Sequence, residues 1–191
     1  NAELLGQDIS ALGLNDLMLG LKKAAGDDNI EGILLEHGAF VAGYGMLEEL
    51  GEYFIEFKKS GKPIYSYGEY YTQKGAYLAA LSDTAILHPG GIMDIRGIGI
   101  SSTYYKDFFD KFGIEPLVVR GTGNDFKSAV EPYIASEMSK ENRLQLSNLT
   151  SQFWEFIGDA FENEKNIPRT TLDSCANNWV GIDAGKAMDV G

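Results

Sequence analysis

The chain has 191 residues, enough for one domain with a core of its own or at most two very small ones. Hydrophobic residues make up 44% and charged residues 23%, which argues against wholesale disorder. The formal net charge of −12 argues against a phosphate-backbone partner, so no nucleic acid is expected, and against docking on anionic lipid through a basic patch.

In chain order the elements alternate between helix and strand. Leu14, Leu17, Met18 and Leu21 carry the spacing of an amphipathic helix, with Asn15 as its cap. Ile30 to Leu35 is a nearly continuous apolar run and predicts a strand buried on both faces. A Gly-rich loop from Gly38 to Gly45 leads into a helix marked by Leu47, Leu50, Phe54 and Phe57, with Gly61 at the position of a C-terminal cap. Pro63 to Tyr67 predicts a strand and Gln73 to Leu81 a short helix. Thr84 to His88 predicts a third buried strand, closed by Pro89-Gly90-Gly91. Ile98 and Ile100 belong to an extended piece, Tyr104 to Phe112 to a helix stopped by Gly113, and Leu117 to Arg120 to a fourth strand. The longest helix should run from Ser139 to about Glu164, with Leu146, Leu149, Phe153, Phe156 and Ile157 as its apolar stripe. The tail from Trp179 to Gly191 predicts a short strand, a turn and a helical turn. The whole, residues 1–191, reads as a single α/β domain with a mostly parallel sheet and flanking helices.

The lone cysteine, Cys175, leaves the redox compartment open, and no run of apolar residues is long enough for a transmembrane helix. The start at Asn1, without an initiator Met or a leader pattern, leads us to expect an excised segment of a longer protein, with Asn1-Ala2 foreign to it.

Few motifs carry chemistry. His37 and His88 stand far apart without partners at ligand spacing, and Cys175 has no nearby Cys or His, so neither a metal nor a cofactor is expected. Gly121 to Ser128 follows a predicted strand, and Gly121 and Lys127-Ser128 fall in the register of a phosphate-binding loop. Phe126 replaces the glycine that lets backbone N–H groups close around a phosphate, and Asp125 adds repulsion, so nucleotide binding is not expected. Lys127 comes after a Gly-rich turn and sits beside Phe126, Ala129 and Val130. A lysine walled by apolar groups has its ammonium form destabilised and can serve as a neutral base in a Ser–Lys dyad; the alternative is a solvated lysine at a helix start. No GxSxG elbow and no SxxK is present, and Ser66, Ser82, Ser101, Ser102 and Ser128 all read as surface or cap serines.

The run Asp125-Phe126-Lys127-Ser128-Ala129-Val130-Glu131-Pro132-Tyr133 resembles the lysine segment of the signal peptide peptidase A (protease IV) family, in the amino-terminal repeat of its long tandem form. Asp27 to Ile33 is similar to the family's first strand entry and Phe57 to Tyr65 to its second, while Gly68 to Ala80 resembles the helix that carries the nucleophile in the other repeat. The resemblance implies a ClpP/crotonase-like fold of repeated β-β-α units. It implies a serine endopeptidase that degrades cleaved signal peptides, with Lys127 as the general base. It also implies a serine supplied by the carboxy-terminal repeat of the same protein, a homo-oligomer (a tetramer in the family), and a membrane-anchored parent with this domain on the extracytoplasmic side. Two departures stand out. The serine's slot in this repeat holds Gln73, and the loop Gly38 to Gly43 carries Phe40 and Val41 where the catalytic repeat has adjacent glycines. This chain is therefore expected to be a half-site, inactive alone. The alternatives are a catalytically silent structural and oligomerisation repeat, or an acyl-CoA enzyme of crotonase type.

Overall fold

The computed structural model describes residues 13–37, 42–119, 123 and 126–191. The chain divides into two compact units, Asn1–Arg96 with Ile157–Gly191, and Gly97–Phe156.

The first unit opens with α1 (Leu14–Gly26), β1 (Ile33–Glu36), α2 (Tyr44–Lys58), β2 (Ile64–Tyr71), α3 (Gln73–Leu81) and β3 (Thr84–Met93). The strands form a parallel sheet in the order β1-β2-β3, so α2 and α3 are the crossovers between neighbouring strands. This is the α/β architecture the alternation implies, and it is consistent with a ClpP/crotonase-like fold. Ile33 lies opposite Ile64, and Tyr65 opposite Thr84. The core forms where Ile64, Ser66 and Tyr71 of β2 meet the buried faces of α2 and α3. Leu47, Leu50, Phe54 and Phe57 form the buried stripe of α2, and every residue of α3 from Gly75 to Leu81 is buried. The C-terminal end of α3 is met by cations: Lys58 Nζ donates to Leu81 O at 3.3 Å and to Glu164 Oε2 at 2.8 Å, and Lys165 Nζ to Ser82 O at 2.6 Å.

The strands depart from expectation in instructive ways. β1 begins at Ile33, because Ile30 N–H turns back to Asp27 O. β1 is an edge strand and alternates half-buried with exposed residues, so Leu34 is 58% exposed rather than enclosed on both faces. β3 does not stop at His88 but runs through Pro89-Gly90-Gly91 to Met93, with a register shift between Gly68 and Tyr70 on β2. An edge strand tolerates a proline, since one side of it has no ladder to donate to. The close approach of strands at the shift requires Gly91, where a Cβ would stand 2.5 Å from Glu69 O. At the other edge of the sheet formed by the described residues, β3 is exposed over Thr84 to Ile86 and half-buried at Leu87, not buried.

The first unit closes with the end of α6 (Lys140–Lys165), α7 (Arg169–Asn178), a 3₁₀ turn (Val180–Ile182) and α8 (Ala184–Val190). The expected strand in the tail is replaced by this turn, which comes after Trp179 in the left-handed region at φ 55°. The second unit contains α4 (Lys106–Phe112), α5 (Glu131–Ile134) and the start of α6. Gly113 stops α4 at φ 66°, as its position implies. Ser139 caps α6 by accepting from Asn142 N–H at 3.1 Å. Neither the Ile98–Ile100 piece nor residues 117–119 form a strand; Leu117 and Val119 are 92% and 91% exposed, and Arg120 lies outside the described residues. No helix among the described residues is long and apolar enough to cross a membrane.

Candidate functional site

Lys127 lies in the second unit, and its side chain is exposed. Its neighbour Phe126 is 56% exposed, so the apolar wall expected around the lysine is not built by the flanking residues. Gly121, Thr122, Asn124 and Asp125 of the preceding turn lie outside the described residues. On the C-terminal side of Lys127 the backbone is well fixed. Glu131 N–H donates to Ser128 O at 2.9 Å and closes a turn that enters α5.

Gln73, in the slot of the expected serine, is the first residue of α3 in the first unit. Thr72 caps this helix, its Oγ1 accepting from Gly75 N–H at 3.1 Å. The Gln73 side chain is tied down: Oε1 accepts from Arg96 N–H at 3.2 Å, and the amide also bonds the Tyr44 hydroxyl. Burial holds the Tyr44 phenol above its ordinary value, so it stays protonated. Beside it, Lys74 Nζ donates to Ala42 O and lies 4.9 Å from the centroid of the Tyr44 ring. A carboxamide in this position offers no nucleophile; it braces the helix start. Gly38, Ala39, Phe40 and Val41 of the loop compared with an oxyanion loop lie outside the described residues.

The sequence gives no reason to pair His37 with Ser66, yet the fold brings them together. Ser66 Oγ is 2.7 Å from His37 Nε2 and 3.1 Å from the Tyr71 hydroxyl, which donates to Ile86 O at 3.0 Å. Because the Tyr71 proton is used on Ile86, the Ser66 proton goes to the Tyr71 oxygen, and His37 donates from Nε2 to Ser66. Ser66 is fully buried, so its hydroxyl cannot reach a substrate; the chain of bonds is a structural relay. The His37 and Tyr71 rings lie 4.5 Å apart, and Gly75 leaves room for His37, since a Cβ there would stand 3.2 Å from Nδ1. The readable signal is Ser66 itself, a polar residue on the inward phase of a strand.

Burial depresses the His37 pKa below its ordinary value. Folding then favours the neutral ring. Its contribution is complete above the unfolded-state value of about 6.5 and is lost as pH falls below it toward the folded-state value. Stability should fall between about pH 7.5 and about pH 5.5, by at most about 1.4 kcal/mol per pH unit for one proton. Denaturant titrations of wild type and His37→Gln at the two pH values check this. The variant should lose the His37 share of the decline, and identical declines would remove His37 as its source.

His88 serves locally, Nδ1 accepting from Gly90 N–H at 3.1 Å. Burial raises the Cys175 thiol, and the described residues contain no cluster of His, Cys, Asp and Glu able to hold a metal ion.

The sequence pattern of peptidase family S49 matches residues 56–190. The chain belongs to peptidase family S49. It is 30% identical over 174 residues to Protease 4 of Haemophilus influenzae, covering 90% of this chain and 27% of that protein. It is 35% identical over 144 residues to Protease 4 of Salmonella typhi, covering 74% and 23%. It is 31% identical over 171 residues to the chloroplastic serine protease SPPA of Arabidopsis thaliana, covering 90% and 25%. The chain thus spans about a quarter of the length of these relatives. This is the signal peptide peptidase A (protease IV) family that the lysine segment resembles.

Proposed function

We propose that this S49 chain is the lysine-donating half of a serine endopeptidase that degrades cleaved signal peptides at the membrane. The observation that supports the reading is which residues stand at two positions. Lys127 stands exposed on a braced turn, while the nucleophile's slot holds Gln73, hydrogen-bonded to Arg96 N–H. In this reading Lys127 receives its hydroxyl partner from a serine in the carboxy-terminal repeat of the same protein.

The chemistry rests on that pairing. The neutral amine of Lys127 takes the serine proton as the oxygen attacks the scissile carbonyl. The tetrahedral oxyanion is stabilised by N–H donors of the serine-bearing repeat. The Lys127 ammonium then protonates the departing amine, and an acyl-enzyme remains. In the second half Lys127 deprotonates the attacking water, and the ester breaks to return the serine. Apolar signal peptides are the substrates, a homo-oligomer houses the sites, and the parent is anchored with this domain on the extracytoplasmic side.

A fluorophosphonate, which phosphonylates activated serines, tests the reading. The 191-residue chain alone should take up none, and the full-length protein should take it up on a serine outside this chain. Labelling of the isolated chain, or no labelling of the full-length protein, would overturn it.

A further inference from the structure

Glu131 is only 6% exposed, the most deeply buried acidic residue among the described residues, and the proposed chemistry gives it no role. It lies four residues after Lys127 at the start of α5. Its carboxylate gathers three donors from the beginning of α6. Oε1 accepts from Ser139 Oγ at 2.5 Å, and Oε2 from Ser139 N–H at 3.3 Å and Asn142 Nδ2 at 2.9 Å. Asn142 is itself 6% exposed. The α5 turn is braced on its other side too, where Pro132 O accepts from Tyr105 N–H at 2.6 Å and the Tyr133 ring stacks on Tyr105 at 6.1 Å.

A buried carboxylate is a weak stabiliser. Desolvating it costs several kcal/mol, and a well-packed apolar residue often does as well. What it provides is direction, because three donors converging on two oxygens fix the carboxylate in position and orientation. That fixation passes to Lys127 through one short path. The Glu131 N–H to Ser128 O bond closes the turn, and Ser128 is bonded to Lys127. A base on an exposed, flexible four-carbon stem benefits most from such an anchor, since a misplacement of about 1 Å can cost about 10²-fold in rate.

We propose that Glu131 is a positioning residue for Lys127, locking the turn that presents the amine onto the start of α6. This rests on the reading of Lys127 as the base. It assigns Glu131 no proton and no contact with substrate.

The test uses the full-length protease and a peptide substrate, with competent sites counted by fluorophosphonate titration so that misfolded enzyme is not scored. Glu131→Gln keeps the shape but turns an amide N–H₂ toward a donor. It should lower kcat per titrated site by about tenfold or more and change KM less than about twofold. Glu131→Asp, which keeps the charge, should recover part of that loss, and Asn142→Ala, which removes one donor, should show a smaller fall of the same kind. In a Lys127→Ala background, Glu131→Gln should have no further effect on the residual rate, because its path runs through the lysine. An unchanged kcat per titrated site, or full additivity with Lys127→Ala, would overturn the proposal. If Lys127→Ala alone retains the wild-type rate, the base assignment fails instead. Should Glu131→Gln not fold, Asn142→Ala decides by the same criteria.

Discussion

On the proposed reading, replacing Lys127 by Ala in the full-length protein is expected to lower kcat/KM on a peptide substrate on the order of 10³-fold, the scale of a lost general base. The fold should be untouched. The Lys127 side chain is exposed, and substitutions at such positions usually change stability by less than about 0.5 kcal/mol. The thermal midpoint by circular dichroism should therefore match wild type. Lys127→Arg separates a base from a fixed charge. A guanidinium does not deprotonate near neutral pH, so it keeps the charge and cannot take the serine's proton. Both variants should be equally inactive. An active Lys127→Arg would mean that position 127 supplies charge alone. Activity of Lys127→Ala within about tenfold of wild type would favour a catalytically silent repeat whose chemistry is completed elsewhere.

Where the sequence was legible, one dominant signal matched the local structure. In α2 the apolar period of Leu47, Leu50, Phe54 and Phe57 is the buried face, and in α6 a capping serine and a long helical pattern agree. Lys127 and Gln73 stand out in the sequence through the resemblance of the segments Asp125 to Tyr133 and Gly68 to Ala80 to the family, and the roles proposed for them rest on that resemblance. Burial of strands could not be read in the same way. An apolar run such as Thr84 to His88 has the same composition on an edge as in the centre of a sheet, and sheet order is decided by contacts distant in sequence. Local signals also misled at Pro89-Gly90-Gly91. That tripeptide reads as a stop, yet it passes through the edge of a sheet where a proline is tolerated and a glycine admits the neighbouring backbone. The relay of His37, Ser66 and Tyr71 was hidden for another reason. Ser66 lies on β2 and His37 just past the end of the neighbouring β1, and only the β1–β2 register, with Glu36 opposite Tyr67, brings the two side chains within reach.

Phe54→Ala should cost about 3–5 kcal/mol of unfolding free energy, read as a shift of the urea midpoint at unchanged m-value. Phe54 is 1% exposed on the stripe that α2 turns toward the core, between Leu50 at 2% and Phe57 at 2%. The size of the loss depends on whether the space can collapse, and here it cannot. Packing beside Phe54 is already at its limit. A Cβ on Gly51 would stand 2.3 Å from the Tyr77 hydroxyl and 3.0 Å from Leu81 Cδ1, so α2 and α3 touch without slack. Burial, with Glu48, Glu52 and Glu164 nearby, pushes the Tyr77 phenol up to about 12, so it stays neutral and cannot relieve the cavity by ionising and drawing in water. β2 and its register with β1 and β3 hold the far side of the core. The cavity therefore persists, and its cost adds to the lost transfer energy. Met188→Ala is the contrasting variant, since that side chain is 77% exposed and should change stability by less than about 0.5 kcal/mol. Because Gln73 begins the helix that rests on Phe54's stripe, loosening α2 should also speed hydrogen exchange along α3. A loss below about 1.5 kcal/mol for Phe54→Ala would show that α2 and α3 can close the gap after all.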